Sequence, residues 1–335
     1  MKNFLDLALA GPDLVAELVA LAGRLQRRPQ PDVLRGKVLG LLFMNPSLRT
    51  LASFQSGMAR LGGSSFVISP GSSWNLEYLP DIPMTGAAAE HVREAIPVLA
   101  SYADALGVRA FAGGHDLAED LSEPVFSAIE GLCPVPLINM ESAVNHPCQA
   151  LADWKTMDDE GIPAGNGRFV LSWANHPKPL PLAVPAAAAH MAAMRGMDVT
   201  VLRPKGFELP PEVMQRIDTA ASHSGGSLME TDDREQAMQG AHVVYAKSWS
   251  ATSVYGDTQA DLDLRAGLTG WTVDSDWFDN AHSKCIFMHC LPVRREVVVT
   301  GDVLEGPRSR VIRQARNRMY AQMAVLHRLL ADKGD

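Results

Sequence analysis

Phe43-Met44-Asn45-Pro46-Ser47-Leu48-Arg49-Thr50 closes an apolar run at 38–43 and opens a helical pattern at 48–61. Proline ahead of a capping serine breaks the strand. The first N–H groups of the following helix then face outward without intrahelical partners. A guanidinium and two hydroxyls beside that positive helix end make a cradle for phosphate. An ordinary N-cap uses the same residues, so the chemistry rests on what accompanies them.

On either side of this run, strand-like segments alternate with helix-like ones, the rhythm of a parallel sheet covered on both faces. The first half reads as strands at 38–43, 65–68, 105–109 and 135–138, with helices at 48–61, 88–102 and 117–132. The second half reads as strands at 168–173, 198–202, 242–246, 270–273 and 285–288, with helices at 182–195, 211–222 and 234–239. A helix at 146–158 joins the halves, and an amphipathic helix at 314–330 follows the second. The expected fold class is α/β: two doubly wound parallel-sheet domains joined by crossing helices. The expected boundaries are 1–145, completed by 314–335, and 146–313. Such sheets gather ligands at the carboxyl ends of their strands, which puts the expected active site in the interdomain cleft. The Gly/Ser/Pro-rich stretch at 69–86 reads as a mobile functional loop.

A length of 335 residues suits two domains of ordinary size. A net charge of -8 argues against nucleic acid and anionic membrane as partners, since a polyanion is repelled. A small anionic substrate answers to the local field instead. The four cysteines, Cys133, Cys148, Cys285 and Cys290, have no metal-ligand spacing and suit a reduced compartment. Asp6 interrupts the apolar start before it reaches leader length. The longest apolar stretch, 181–194, is too short to span a bilayer. A soluble, cytoplasmic protein without metal or organic cofactor is expected. No GxGxxG follows any strand, which disfavours a nucleotide-dependent dehydrogenase.

Two further runs carry chemistry. His146-Pro147-Cys148-Gln149 starts a helix, where a histidine can polarise a carbonyl and a glutamine amide can hold an NH2 group. His289-Cys290-Leu291-Pro292 ends the last strand of the second half, where backbone carbonyls turn towards a site. Ser-x-Arg-Thr, His-Pro-x-Gln and His-Cys-Leu-Pro, in that order and at these separations, resemble the aspartate/ornithine carbamoyltransferase family over essentially the whole chain. Asn139-Met140-Glu141, the run from Trp173 to Leu180, Val244-Tyr245-Ala246-Lys247-Ser248-Trp249 and the run from Met288 to Arg295 look like its N-acetylornithine and N-succinylornithine branch.

That resemblance implies transfer of a carbamoyl group from carbamoyl phosphate to the side-chain amine of an N-acylated ornithine, in a variant arginine biosynthesis. It implies that Ser47, Leu48, Arg49, Thr50, Arg109 and Arg318 bind carbamoyl phosphate, joined by His146, Pro147, Cys148, Gln149, Cys290 and Leu291. Arg49, Thr50, His146 and Gln149 are the implied catalytic set. Glu141, His176, Lys247 and Leu291 are implied to contact the acylornithine. Trp74 is implied to reach the phosphate site of a neighbouring subunit, in a homotrimer with shared active sites. The position said to separate acetyl-type from succinyl-type members falls on Ala89. Acetyl-type members carry glutamate there and succinyl-type members proline. Alanine lacks the carboxylate that would repel a succinyl tail, so the succinyl type is favoured. The family likeness around Pro177–185 also implies a knotted second domain.

The chain departs from the family pattern at three places. Leu51 replaces a second arginine, Arg316 replaces a glutamate, and Met84-Thr85-Gly86-Ala87 lacks the usual acidic flanks of its glycine. These changes motivate an alternative, a catalytically weakened relative acting as a ligand-binding regulatory protein.

Overall fold

The computed structural model describes residues 1–69 and 73–331. Pro70, Gly71 and Ser72, within the loop expected at 69–86, and residues 332–335 lie outside the described residues. The chain divides into two compact units. One holds Met1–Ala112, Glu119–Cys148 and Arg318–Asp335; the other holds Gly113–Ala118 and Gln149–Asn317.

In the first unit, β1 (Val38–Phe43), β2 (Ser64–Ile68), β5 (Ala105–Arg109) and β6 (Leu137–Glu141) form a parallel sheet in the order β2-β1-β5-β6. β3 (Asn75–Glu77) and β4 (Ala88–His91) pair separately. β1 is Val-Leu-Gly-Leu-Leu-Phe with five of six residues buried, as a central parallel strand covered on both faces requires. The chain winds from β1 outward to β2, then returns to build β5 and β6 on the other side. The topological switch point therefore lies between β1 and β5, where Phe43 is in register with Arg109. The core joins Leu42, Leu106 and Val108 of the sheet to Val92, Ile96, Phe126 and Ile129 of the helices. Truncating the fully buried Leu106 to alanine costs about 2–5 kcal/mol.

In the second unit, β7 (Arg168–Ser172), β8 (Asp198–Leu202), β9 (Ser227–Thr231), β10 (Val243–Ala246) and β11 (Ile286–Met288) form a parallel sheet in the order β11-β10-β7-β8-β9. Its switch point lies between β7 and β10. Five helices position the chemistry: α1 (Leu48–Arg60), α2 (Val92–Ser101), α3 (Pro147–Asp159), α4 (Ala183–Met194) and α5 (Val311–Leu330). Helix α4 is Ala-rich and buried on nearly every side. Its small side chains allow close approach to β7, β8 and the helix Pro211–Ser224. The chain passes from one unit to the other inside α3 and again inside α5.

The α/β architecture with parallel sheets in two units is the one expected; several local elements differ. Residues 88–91 are strand β4 rather than helix. The helix starts at Val92 because the His91 imidazole caps it, accepting from the Arg93 N–H at 3.0 Å. The helix expected at 117–132 is two helices, Leu117–Ser122 and Pro124–Leu132. Pro124 has no N–H to continue a helix, and Glu123 before it takes a left-handed φ of 49°. The strand expected at 270–273 is a 3-10 turn, Thr269–Trp271, with Val273 bridging to Val299. The strand expected at 135–138 runs instead over Leu137–Glu141. The edge strand β9 was not expected, since its polar, half-exposed residues lack an apolar run.

Candidate active site

The turn after β1 is held against the neighbouring strand end. Met44 N–H donates to the Arg109 carbonyl at 2.9 Å, and Asn45 Oδ1 accepts from Phe111 N–H at 2.8 Å. Ser47 is the N-cap of α1 and accepts from Thr50 N–H at 3.3 Å. Its hydroxyl lies 3.0 Å from Thr50 Oγ1, which also accepts from Arg318 Nη2 at 2.7 Å. With two donors directed at its oxygen, Thr50 has its own proton left to donate. The first-turn N–H groups of α1 add to the same positive end.

Arg109 ends β5, and Glu141 ends β6 beside it; the two form a buried ion pair. Glu141 also lies 3.2 Å from His146 Nε2. Burial, then the charges of Arg318, Arg109 and Arg49, hold His146 well below the usual imidazole range. The ring is therefore neutral. Its proton sits on Nε2 facing the carboxylate, leaving Nδ1 as a buried acceptor with no partner among the described residues. Arg318 is fully buried and depressed below its ordinary value, by burial first. Buried Nε atoms of Arg109 and Arg318 also have no hydrogen-bond partner among the described residues. Three guanidinium charges thus surround the neutral ring, with the Glu141 carboxylate among them. Such a cluster at a helix start suits an anion such as phosphate.

The sequence expectation gave His146 a donor's role, polarising a carbonyl. In this tautomer the atom left over is an acceptor, and the donors are the guanidinium groups and Thr50. Leu48, the second helix-start residue, is exposed; Pro147 and Cys148 are buried at the start of α3. Burial pushes the Cys148 thiol up to about 12, so it stays protonated.

In the second unit, Gln149 is buried on α3, and its Oε1 has no hydrogen-bond partner among the described residues. Lys247 follows β10, its N–H bonded to the Ser172 carbonyl at the switch point. His176 follows β7. Arg294 Nε donates to His176 Nε2 at 3.3 Å, so the ring proton is on Nδ1, which donates to the Lys178 carbonyl at 2.9 Å. Burial takes His176 down to about 4, with the charges of Lys247, Arg294 and Arg265 adding to the effect. Arg265 is neutralised by the buried Asp261 and ties the segments at His176 and Ser248 together. Lys247 and Arg294 have no ion-pair partner among the described residues, so this cluster suits a carboxylate. Arg294 was not among the expected site residues. Its signal was the doubled arginine after His289-Cys290-Leu291-Pro292. Leu291 itself takes a left-handed φ of 55°, a conformation that costs a bulky residue about 1–3 kcal/mol and collects at functional sites. Its N–H donates to His289 Nδ1 at 2.9 Å, and Cys290 before it is half-buried.

Trp74 and Ala89 belong to the loop that carries β3 and β4. The Trp74 indole is 58% exposed and donates to Glu90 Oε2 at 2.8 Å. The structure places neither Trp74 nor the exposed Ala89 with the arginines. Beside Trp74 a cavity of about 790 Å³ is lined by Phe43, Met44, Ile68, Leu76 and Glu90. Of the departures, Arg316 is exposed on α5, whereas Asn317 and Arg318 next to it are buried.

The family model for the aspartate/ornithine carbamoyltransferase carbamoyl-P binding domain matches residues 2–159. The model for its Asp/Orn binding domain matches residues 184–329. The chain is 38% identical over 334 residues to N-acetylornithine carbamoyltransferase of Xanthomonas campestris pv. campestris, covering 98% of each. It is 36% identical over 297 residues to N-succinylornithine carbamoyltransferase of Bacteroides thetaiotaomicron, covering 88% of each. Among solved structures, acetylornithine transcarbamylase complexed with acetylcitrulline superimposes with a TM-score of 0.95 at 36% identity. That match covers 99% of this chain and 100% of the other.

Proposed function

The chain belongs to the aspartate/ornithine carbamoyltransferase family, and from that premise we propose how its residues divide the reaction. It is a carbamoyltransferase that moves the carbamoyl group of carbamoyl phosphate onto the side-chain amine of an N-acylated ornithine. One observation supports the assignment of roles: three guanidinium groups gathered around His146 at a helix start beside a topological switch point.

Ser47, Thr50, Arg49, Arg109, Arg318 and the first N–H groups of α1 hold the phosphate. The same groups stabilise negative charge as it develops on the carbamoyl oxygen and on the leaving phosphate. The acceptors His146 Nδ1 and Gln149 Oε1 are of the kind an NH2 group satisfies. The attacking amine must first lose a proton, since an ammonium has no lone pair and its pKa is about 10.4 by analogy with lysine. The amine nitrogen then bonds to the carbamoyl carbon, the carbon–oxygen bond to phosphate breaks, and phosphate leaves with that electron pair. Lys247 and Arg294, with neutral His176 between them, hold the carboxylate of the acylornithine.

N-succinylornithine is the preferred acceptor, because Ala89 adds no carboxylate against the tail. The working form is a homotrimer in which the exposed Trp74 serves a neighbouring subunit's phosphate site. Four free cysteines fit a reducing, cytoplasmic setting. Steady-state kinetics comparing ornithine, N-acetylornithine and N-succinylornithine at saturating carbamoyl phosphate test this reading. Activity with ornithine alone contradicts it.

A further inference from the structure

Gln149 and Asp153 lie one turn apart on α3, and both are buried. Gln149 Nε2 donates to Asp153 Oδ1 at 2.7 Å. Gln314 Nε2 donates to the same oxygen at 2.8 Å. On its other side, Gln314 Oε1 accepts from the backbone N–H of His289 at 2.9 Å. The direction of this chain is fixed by chemistry. A backbone N–H cannot accept, so the Gln314 oxygen must face His289 and its NH2 must face Asp153. Asp153 Oδ1 is then an acceptor, and the Gln149 amide must also present its NH2 there. Gln149 Oε1 is thereby turned away from Asp153, and it is buried without a hydrogen-bond partner among the described residues. The reverse orientation would set amide oxygen against acceptor oxygen, a buried repulsion. Tyr245 stands beside the same groups, its hydroxyl 3.3 Å from Gln314 Nε2, and burial followed by the Asp153 charge keeps it a phenol.

We infer that Asp153 is a positioning residue for carbamoyl recognition: it locks the Gln149 amide with its oxygen outward, so that this position accepts from an NH2 group and rejects a ligand that lacks one. Gln314 carries the same polarity to His289, whose segment continues into Cys290 and Leu291. This rests on the carbamoyl-phosphate reading above. It assigns a role to two residues, Asp153 and Gln314, that do not figure in the sequence motifs.

The test compares carbamoyl phosphate with inorganic phosphate by titration calorimetry on the full-length oligomer. The phosphate engages the same arginines but carries no NH2 group. In Asp153→Asn, whose amide permits Gln149 to flip, carbamoyl phosphate affinity falls at least about tenfold while phosphate affinity stays within about twofold. In a Gln149→Ala background, Asp153→Asn adds less than about a twofold further loss, because the residue acts through that glutamine. Gln314→Leu keeps the volume and removes the relay; it lowers the carbamoyl phosphate to phosphate affinity ratio, and so decides the matter if Asp153→Asn does not fold. A parallel loss of phosphate affinity, or full additivity of Asp153→Asn with Gln149→Ala, overturns the inference. Binding is read separately from turnover, so an enzyme that rejects every acylornithine contradicts the proposed acceptor and leaves this result standing.

Discussion

Arg318 donates to the hydroxyl of Thr50 at 2.7 Å, joining two buried residues 268 positions apart in the sequence. The contact ties the part of α5 from Arg318 onward into the first unit and brings a third guanidinium to the start of α1. The cluster is electrostatically unfavourable when empty, since like charges are held close in a dry setting. Arg318→Met therefore leaves the thermal midpoint of the ligand-free protein unchanged or raised. It lowers kcat/KM by about 10²–10³-fold, the scale for losing one preorganised donor. Scanning calorimetry and initial rates check the two halves.

Ligand binding offsets that repulsion. Inorganic phosphate at about 100 times its Kd adds about 2.7 kcal/mol to the stability of the binding unit. Thermal unfolding followed at increasing phosphate shows an upward shift, and the shift is smaller in Arg49→Ala.

Lys247 and Arg294 make the other charged cluster. Arg294→Gln raises the KM for the acylornithine by about tenfold or more and leaves the KM for carbamoyl phosphate near that of the wild type, the signature of lost uniform binding to one substrate. Equal effects on both substrates would contradict the separation of the two clusters.

The acid side of the stability profile follows from the two depressed histidines. His176 titrates at about 4 in the folded chain, and His146 well below its ordinary 6.5. The unfolded chain binds more protons between those values, so stability rises with pH through this window and is lost as pH falls below about 6.5. His176→Asn flattens the slope between pH 4 and 6.5 in denaturant titrations. An unchanged slope would mean that the ring is charged in the folded state.

Ala89 is exposed on β4. Introducing a carboxylate there, as Ala89→Glu, shifts the ratio of kcat/KM for N-succinylornithine over N-acetylornithine downward by at least about tenfold, through like-charge repulsion of the succinyl tail. Competition assays with both acceptors measure the ratio directly.

The fold was legible where one periodicity dominated. β1 and β5 occupy the expected limits because covered parallel strands read as short, nearly unbroken apolar runs, and β8 does so through its alternating Asp-Val-Thr-Val-Leu. At 88–91 the alanines suggested helix, but pairing with β3 and the His91 cap overrode that propensity. Around the site, the motifs named residues but not their partners. Ser47, Thr50, Arg109, Glu141, His146 and Arg318 come together in one unit, and Glu141, expected at the acceptor, pairs with Arg109. Asp153 and Gln314, which meet across 161 positions of sequence, carry no local signal at all. Arg294 had only the doubled arginine as a signal, and its meeting with His176 across 118 positions was not legible from it.

The most direct measurement is titration calorimetry of carbamoyl phosphate into the folded wild-type protein and into Arg49→Ala. Uptake of one ligand per chain by the wild type is expected, with affinity at least about tenfold weaker in the variant because a charge-assisted contact to the dianion is lost. No uptake by the folded wild type, or equal affinity in both proteins, would contradict the claim that the guanidinium cluster binds the donor.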